Sequence, residues 1–571
     1  MSRNWWKECI FYQVYPKSFQ DSNGDGKGDL RGIIKRLDYL AWLGIKGLWL
    51  SPIFRSPMVD NGYDVSDYYS VDPIFGDNDD LDELIAEAGK RGIRIILDLV
   101  VNHCSNKHPW FQRACADPLS EERGYFIIRK KDQLTNWRSN FGGSVWSPMP
   151  GSPDDYYMHV FAKEQPDLNW ENPLLRHKIY RMINYWLDKG IAGFRIDAIT
   201  YLKKDQAFPI LPPDGHDGLV AVTKAANNQP GIEVFLKEMR EETFDRHPGC
   251  VTVAEASDVP FNQLPEYSGP DGFFSMIFEF SYQDPYVDPV HPEWFRPKSW
   301  DVEEYKQKIQ DAQVQQQKLG VWSPTHLENH DSPRALTRLM ANKQVGGVSA
   351  DSQMRRRQAT MLAAMYFFLR GTPFIYQGQE LGMSNSTLTK IEQFNDIMTK
   401  DQYQEAIQQG LDPQDAFDKV AFRSRDNSRT PMQWNKGKNA GFSPSEPWLP
   451  VNSDFQTINV QEESDDKKSV LSFYRAMIGL RSNPIYCKTL VYGTSKPAYA
   501  DKTNVIAYDR SYNGQIIRVV CNFQYGQSHL GKTSGLSDGD ILMTNLGREN
   551  LNGDVILGPF EALVVLLKQA A

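Results

Sequence analysis

The sequence predicts an α/β protein: a (β/α)8 TIM barrel with an inserted subdomain after strand 3 and a C-terminal antiparallel β-sandwich domain. Three observations lead there. Short β-rich runs alternate with amphipathic helical stretches, as repeated βα units around a parallel sheet do. The runs number eight. After Arg481 the alternation stops, and short strands separated by turn signals take over.

The eight strands are expected at IFYQVYP from Ile10, IKGLWLSP from Ile45, IRIILDLV from Ile93, GFRIDAI from Gly193, CVTVAEA from Cys250, FSMIFEF from Phe274, PTHLENH from Pro324 and TPFIYQG from Thr372. Several are almost wholly apolar, as strands covered on both faces are. Between them, LRGIIKRLDYLAWLG ends on a glycine suited to a helix C-cap. LDELIAEAGKRG sets Leu81, Leu84, Ile85 and Ala88 on one face, and PLLRHKIYRMINYWLDKG does so with Leu175, Ile179, Met182 and Trp186. DVEEYKQKIQDAQVQQQKLG reads as a helix whose Gln-rich stretch is a solvated face; MRRRQATMLAAMYFFLRG and SVLSFYRAMIGLRSN follow. The Trp-, Pro- and Gly-rich segment 103–170 far exceeds a βα loop of about 2 to 6 residues. The expected domains are therefore a barrel over 1–103 and 171–485, with a long insertion at about 383–450, an inserted domain over 104–170, and a sandwich over 486–571.

Composition narrows the function. A net charge of -9 argues against a nucleic-acid partner, which calls for basic surface. No stretch approaches the roughly 20 consecutive apolar residues of a membrane span. The start, MSRNWWKECIFYQVYP, lacks the basic and apolar regions of a secretory signal. Cys9, Cys104, Cys115, Cys250, Cys487 and Cys521 are scattered, so free thiols in a reducing cytoplasm are expected, not a zinc site or disulfide framework. A cytoplasmic monomer acting on a small molecule is the resulting expectation. Aromatic residues at 12% suit sugar stacking, though they also fill large cores.

Catalytic residues of such barrels occupy the C-terminal ends of strands. Asp98, Asp197, Glu255 and Asp331 each lie at or just past such an end. One strand-end Asp is ordinarily a cap or turn former; acidic residues on strands four, five and seven of one barrel make a set. Glycosidic cleavage needs one carboxylate to attack the anomeric carbon and a carboxylic acid to protonate the leaving oxygen. Arg195, two residues before Asp197, shares its face of the strand. It either holds Asp197 ionised or braces the barrel rim.

The stretches DLVVNHCS, GFRIDAIT, VTVAEA and LENHDSPR, in this order, resemble the four conserved regions of the α-amylase family, glycoside hydrolase family 13. QPDLNW, RDNSRTPMQW and YQGQELGM are similar to its oligo-1,6-glucosidase branch. The resemblance implies a retaining, exo-acting α-glucosidase with Asp197 as nucleophile, Glu255 as general acid/base and Asp331 as the third carboxylate, which binds sugar hydroxyls. It further implies that His103 and His330 hydrogen-bond the sugar, that Tyr63 stacks beneath it, that Arg195 pairs with Asp98, and that Phe161 lines the pocket. Asp60 and Arg429 match a pair that holds the terminal glucose and closes the pocket to longer chains. Ala198 stands where Val accompanies α-1,6 specificity, so maltose and malto-oligosaccharides are favoured, with isomalto-oligosaccharides and sucrose as further substrates.

DSNGDGKGD opens like an EF-hand calcium loop, with Asp21, Asn23, Asp25 and the backbone of Lys27 as oxygen ligands. Gly32 stands where such a loop has its glutamate, so Asp29 has to serve instead, and a hydrated Asp/Gly turn is the alternative. The segment resembles the calcium loop of this branch and predicts a structural Ca²⁺, with no catalytic cofactor. The alternatives are a strict oligo-1,6-glucosidase, a transglucosylase or sucrose isomerase on the same scaffold, and a transporter-associated ancillary subunit. The segment YVDPVHPEWFRPKSWDVEEY lacks the isomerases' Arg-rich motif. The intact carboxylate set disfavours the ancillary subunit.

Overall fold

The computed structural model describes residues 4–288, 293–531 and 535–568. Eight strands, β1 (Phe11–Val14), β2 (Gly47–Leu50), β3 (Arg94–Leu99), β4 (Gly193–Ile196), β5 (Val251–Ala254), β6 (Met276–Ile277), β7 (Pro324–Thr325) and β8 (Thr372–Tyr376), form one sheet. Their order is β6-β5-β4-β3-β2-β1-β8-β7. Consecutive strands are neighbours and the first lies beside the last. That is the order of a strand ring; an open doubly wound sheet reverses direction partway. The fold is a (β/α)8 barrel.

Every strand falls within its predicted run, but β6 and β7 keep only two residues each. In the β7 run, the Glu328 carboxylate accepts the N–H of Ala335 and the Asn329 side chain accepts that of Asp331. Such local bonds offer the backbone an alternative to a strand ladder.

Eight helices follow the strands in turn: α1 (Leu30–Leu43), α2 (Asn78–Lys90), α3 (Pro173–Asp188), α4 (Ile232–Glu242), α5 (Leu264–Ser268), α6 (Val302–Leu319), α7 (Ser352–Phe367) and α8 (Val470–Ser482). Asp29 caps α1 by accepting the Gly32 N–H at 2.6 Å, and Gly44 ends it in the left-handed region at φ 98°. α4 and α5 both lie outside the helices expected from the sequence. The Gln-rich face of α6 is not wholly solvated: Gln313 and Gln316 are buried, Gln313 accepting the Arg370 N–H and Gln316 donating to Glu279. Buried amides keep their place only with such partners.

Two compact units make up the chain. The first, chiefly Trp49–Lys90 and Arg94–Phe278, contains β3 to β6 and the stretch predicted as an inserted domain. There Ile128–Lys130, Asp155–Met158 and Trp146–Pro148 form a three-stranded antiparallel sheet. Its core of Trp137, Val145, Trp146, Met158 and Val160 also takes in Ala198 and Tyr201 from just beyond β4. The second unit, Asn4–Leu48, Arg91–Ile93 and Glu279–Ala571, holds β1, β7 and β8. Its insertion after β8 folds into helices at Ile397–Gln408, Pro413–Arg423 and Asp426–Arg429. The C-terminal strands Thr494–Ala498, Val505–Tyr512, Gln515–Asn522, Ala562–Leu567 and Asp540–Thr544 lie in that order in an antiparallel sheet. Asn513 and Gly514, at φ 45° and 82°, make the hairpin turn predicted at SYNGQ. Among the described residues no helix is long and apolar enough to cross a membrane, and all six cysteines are free.

Candidate active site

Parallel pairing brings the chemistry of the first unit together. Arg195 lies opposite Asp98 across β4 and β3, and Ile196 lies opposite Ala254 across β4 and β5. Asp197 and Glu255 each follow directly, past the strand ends. The buried Arg195 guanidinium is thereby surrounded. One of its nitrogens lies 2.9 Å from Asp98 and 2.8 Å from Asp197, and the other is hydrogen-bonded to Glu255. Burial alone would lower the pKa of Arg195; Asp98, Glu255, Tyr63 and Asp197 more than offset it and raise it well above the usual range. The second oxygen of Asp98 accepts from the Trp49 indole at 3.2 Å and the Tyr63 hydroxyl at 3.1 Å. Asp98 is thus rim support, as predicted, and it also fixes Tyr63.

Ala198 follows Asp197 in the left-handed region, at φ 43° and ψ 38°. Beside the strands, His103 Nε2 lies 3.1 Å from the Tyr63 carbonyl oxygen. Gln165, fully buried, donates to Asp60 at 3.2 Å and lies 3.2 Å from His103 Nε2. Phe161 packs its ring against His103 and Tyr201. Burial lowers the pKa of His103, keeping the imidazole neutral.

In the second unit the charges are arranged in the opposite sense. Asp331 lies 2.9 Å from His330 Nε2, 2.9 Å from Arg429 and 3.4 Å from Arg425. Burial would raise its pKa, but His330, Arg425 and Arg429 hold the carboxyl well below the usual range. Arg429 also donates to the His330 carbonyl at 2.9 Å, and Gln13 lies 2.8 Å from His330 Nδ1. Arg425 is held in turn by Asp396 at 2.6 Å. Arg425, Gln13 and Gln165 were not singled out from the sequence; the two glutamines carried no signal beyond their place in a strand or motif.

The predicted calcium loop is curled by its own side chains. Asp21, Asn23 and Asp25 each accept the N–H two residues on, at 3.0, 2.9 and 2.8 Å. Asp21 also accepts the N–H groups of Gly24 and Gly26 and the hydroxyl of Ser443, while Asp29 accepts the backbone N–H of Ser22. These hydrogen bonds overcome burial and lower the Asp21 pKa. No group of three His, Cys, Asp or Glu side chains is gathered for a metal among the described residues. A cation here would need the Asn23 amide and a main-chain carbonyl as well.

The family description "Alpha amylase, catalytic domain" matches residues 13–493. The chain belongs to the alpha-amylase family. As a member it is a glycoside hydrolase of family 13. It is 39% identical to a probable oligo-1,6-glucosidase 3 of Bacillus subtilis, over 99% of this chain and all of that protein. Among solved structures it resembles a trehalose-6-phosphate hydrolase of Bacillus licheniformis, at 34% identity and a TM-score of 0.90, over 99% of this chain and 100% of that one. It also resembles an isomaltulose synthase of Klebsiella, at 35% identity and a TM-score of 0.90, with both chains covered in full. Three differently named activities thus share one alpha-amylase-family scaffold, so the scaffold alone does not fix the substrate.

Proposed function

We propose that the chain is a retaining, exo-acting α-glucosidase that releases glucose from the non-reducing end of short α-glucosides. One observation carries this: the carboxylates of Asp197 and Glu255 contact the same Arg195 guanidinium. Two carboxylates on one guanidinium stand as a pair beside the same point, and retention, which the family resemblance implies, uses such a pair roughly 5 to 5.5 Å apart. Asp197 attacks the anomeric carbon while Glu255 protonates the leaving oxygen; Glu255 then activates the water that frees glucose. The side chain of Glu255 is 25% exposed against 11% for Asp197, which suits the residue that must meet water. Asp331, held ionised, is assigned to sugar hydroxyls. Exo-action rests on the resemblance of Asp60 and Arg429 to the pair that holds a terminal glucose.

Linkage is set beside Asp197. Ala198 carries less bulk than the Val of α-1,6-specific relatives, and the named activity of the Bacillus subtilis relative points to α-1,6 bonds. One or two methyl groups discriminate by about 1 to 3 kcal/mol, so Ala198 broadens the choice without reversing it. The proposed enzyme accepts both maltose and isomaltose, and without the isomerases' Arg-rich motif it hydrolyses sucrose in preference to rearranging it. Glucose release from maltose and isomaltose, with the product anomer read by NMR, tests this. The β-anomer as first product would overturn retention, and an isomaltose preference beyond about 200-fold in kcat/KM would overturn the Ala198 argument.

We also propose that the 21–29 loop holds a structural Ca²⁺ through Asp21, Asn23, Asp25, Asp29 and the Lys27 carbonyl. All are hard oxygen donors, which Ca²⁺ prefers. Chelation should lower the Tm of the wild type and leave that of Asp25→Ala unchanged; an equal shift in both would overturn the site.

A further inference from the structure

The buried ammonium of Lys204 has three hydrogens and three acceptors. It donates to the Asn102 side-chain oxygen at 2.9 Å and the Tyr201 carbonyl at 2.7 Å, and pairs with Asp167 at 2.8 Å. With the oxygen of Asn102 turned to a cation, its NH2 must face the other way. There it meets Asp167 Oδ1 at 3.3 Å and His103 Nδ1 at 3.2 Å. An NH2 group donates and cannot accept, so Nδ1 must present its lone pair. A neutral imidazole then carries its proton on Nε2, and the Tyr63 carbonyl, 3.1 Å from Nε2, is placed to accept it.

We propose that Asn102, oriented by the Lys204 ammonium, fixes His103 as the tautomer protonated on Nε2. Asn102 and Lys204 are positioning residues acting through His103. Gln165 bears on the other nitrogen. Its side-chain oxygen accepts the Ala162 N–H at 3.0 Å, so its NH2 end faces His103 Nε2 at 3.2 Å. With Nε2 protonated the two N–H groups donate elsewhere, the amide to Asp60 at 3.2 Å and the ring to the Tyr63 carbonyl at 3.1 Å. The chain of bonds gives Nε2 a defined role as donor, the form that can hydrogen-bond a sugar oxygen. That His103 meets the sugar rests on the α-glucosidase reading; the assignment of its proton does not.

The test is ring-¹⁵N histidine NMR of the full chain, with the His103 signals identified by their loss in His103→Gln. Wild type should show His103 neutral with its proton on Nε2. Asn102→Asp is nearly isosteric but replaces a donor with an acceptor, and should move the proton to Nδ1 or add a second one there. Lys204→Met should release the amide and give mixed tautomers; should that variant not fold, Asn102→Asp decides. A wild-type proton on Nδ1, or an unchanged tautomer in a folded Asn102→Asp, would overturn the proposal. Asn102→Asp should also raise KM for maltose about tenfold, the loss of one ordinary hydrogen bond. A switched tautomer with unchanged KM keeps the proposal and removes His103 from the sugar site.

Discussion

Around Arg195 one guanidinium faces three carboxylates, Asp98, Asp197 and Glu255, whereas around Asp331 one carboxylate faces Arg425, Arg429 and His330. At the centre of each cluster the majority is reversed, although Arg425 is itself held by a further carboxylate, Asp396. Where carboxylates outnumber the cation, the shared guanidinium holds the proposed nucleophile and acid/base side by side. Where cations outnumber the carboxylate, Asp331 stays ionised, and it suits fixed recognition of hydroxyls more than proton transfer.

The first way to break the comparison is to remove a member of the carboxylate-rich cluster. Asp197→Ala should lower glucose release by about 10⁴-fold or more, as loss of a nucleophile does; undiminished activity would end the mechanism. Arg195→Gln leaves three carboxylates without their shared cation. Activity should fall by about 10²- to 10⁴-fold, the range in which placed acid/base groups act, with the acidic limb of the pH–rate profile moved upward. Stability should fall by about 3 to 5 kcal/mol, the cost of breaking a buried pair from one side, read from urea unfolding.

Ala198→Val probes the position next to the nucleophile. A β-branched residue in the left-handed region is strained, so the variant should lose about 1 to 3 kcal/mol in stability while maltose activity falls relative to isomaltose activity. An unstrained, equally stable variant would remove the backbone argument. The smallest expected effect sharpens the cation-rich cluster. A carboxyl held below its unfolded pKa stabilises the fold above that unfolded value, and the benefit fades as pH falls through the folded one. Wild type should therefore exceed Asp331→Asn in urea midpoint by a constant margin above about pH 5, and the gap should close only in more acid solution. A gap that widened on acidification would contradict the charge arrangement.

Much of this was legible in the residues themselves. Apolar runs bounded by turn signals located all eight strands, and Asp197 and Glu255 do follow strand ends directly. Asp331 does not, since β7 stops at Thr325, and it was found through the motif around it. The pairing of Asp98 with Arg195 came from the family resemblance, and the register of β3 against β4 bears it out. Helix α4, among the loops that follow β4, and the short α5 were both missed, and the α6 glutamines were misplaced because periodicity does not register a buried amide with a partner.

The sequence by itself determined the strand order, the carboxylates and the family, since these depend on local pattern and on short motifs that the chain carries intact. Only the tertiary structure decided who holds those residues in place. Gln13 reaches His330 across 317 positions and Arg425 reaches Asp331 across 94. Lys204 orients Asn102 across 102. Side chains so far apart in sequence have no periodic signature, and their contacts exist only once the backbone has brought distant strand ends and loops within hydrogen-bond reach.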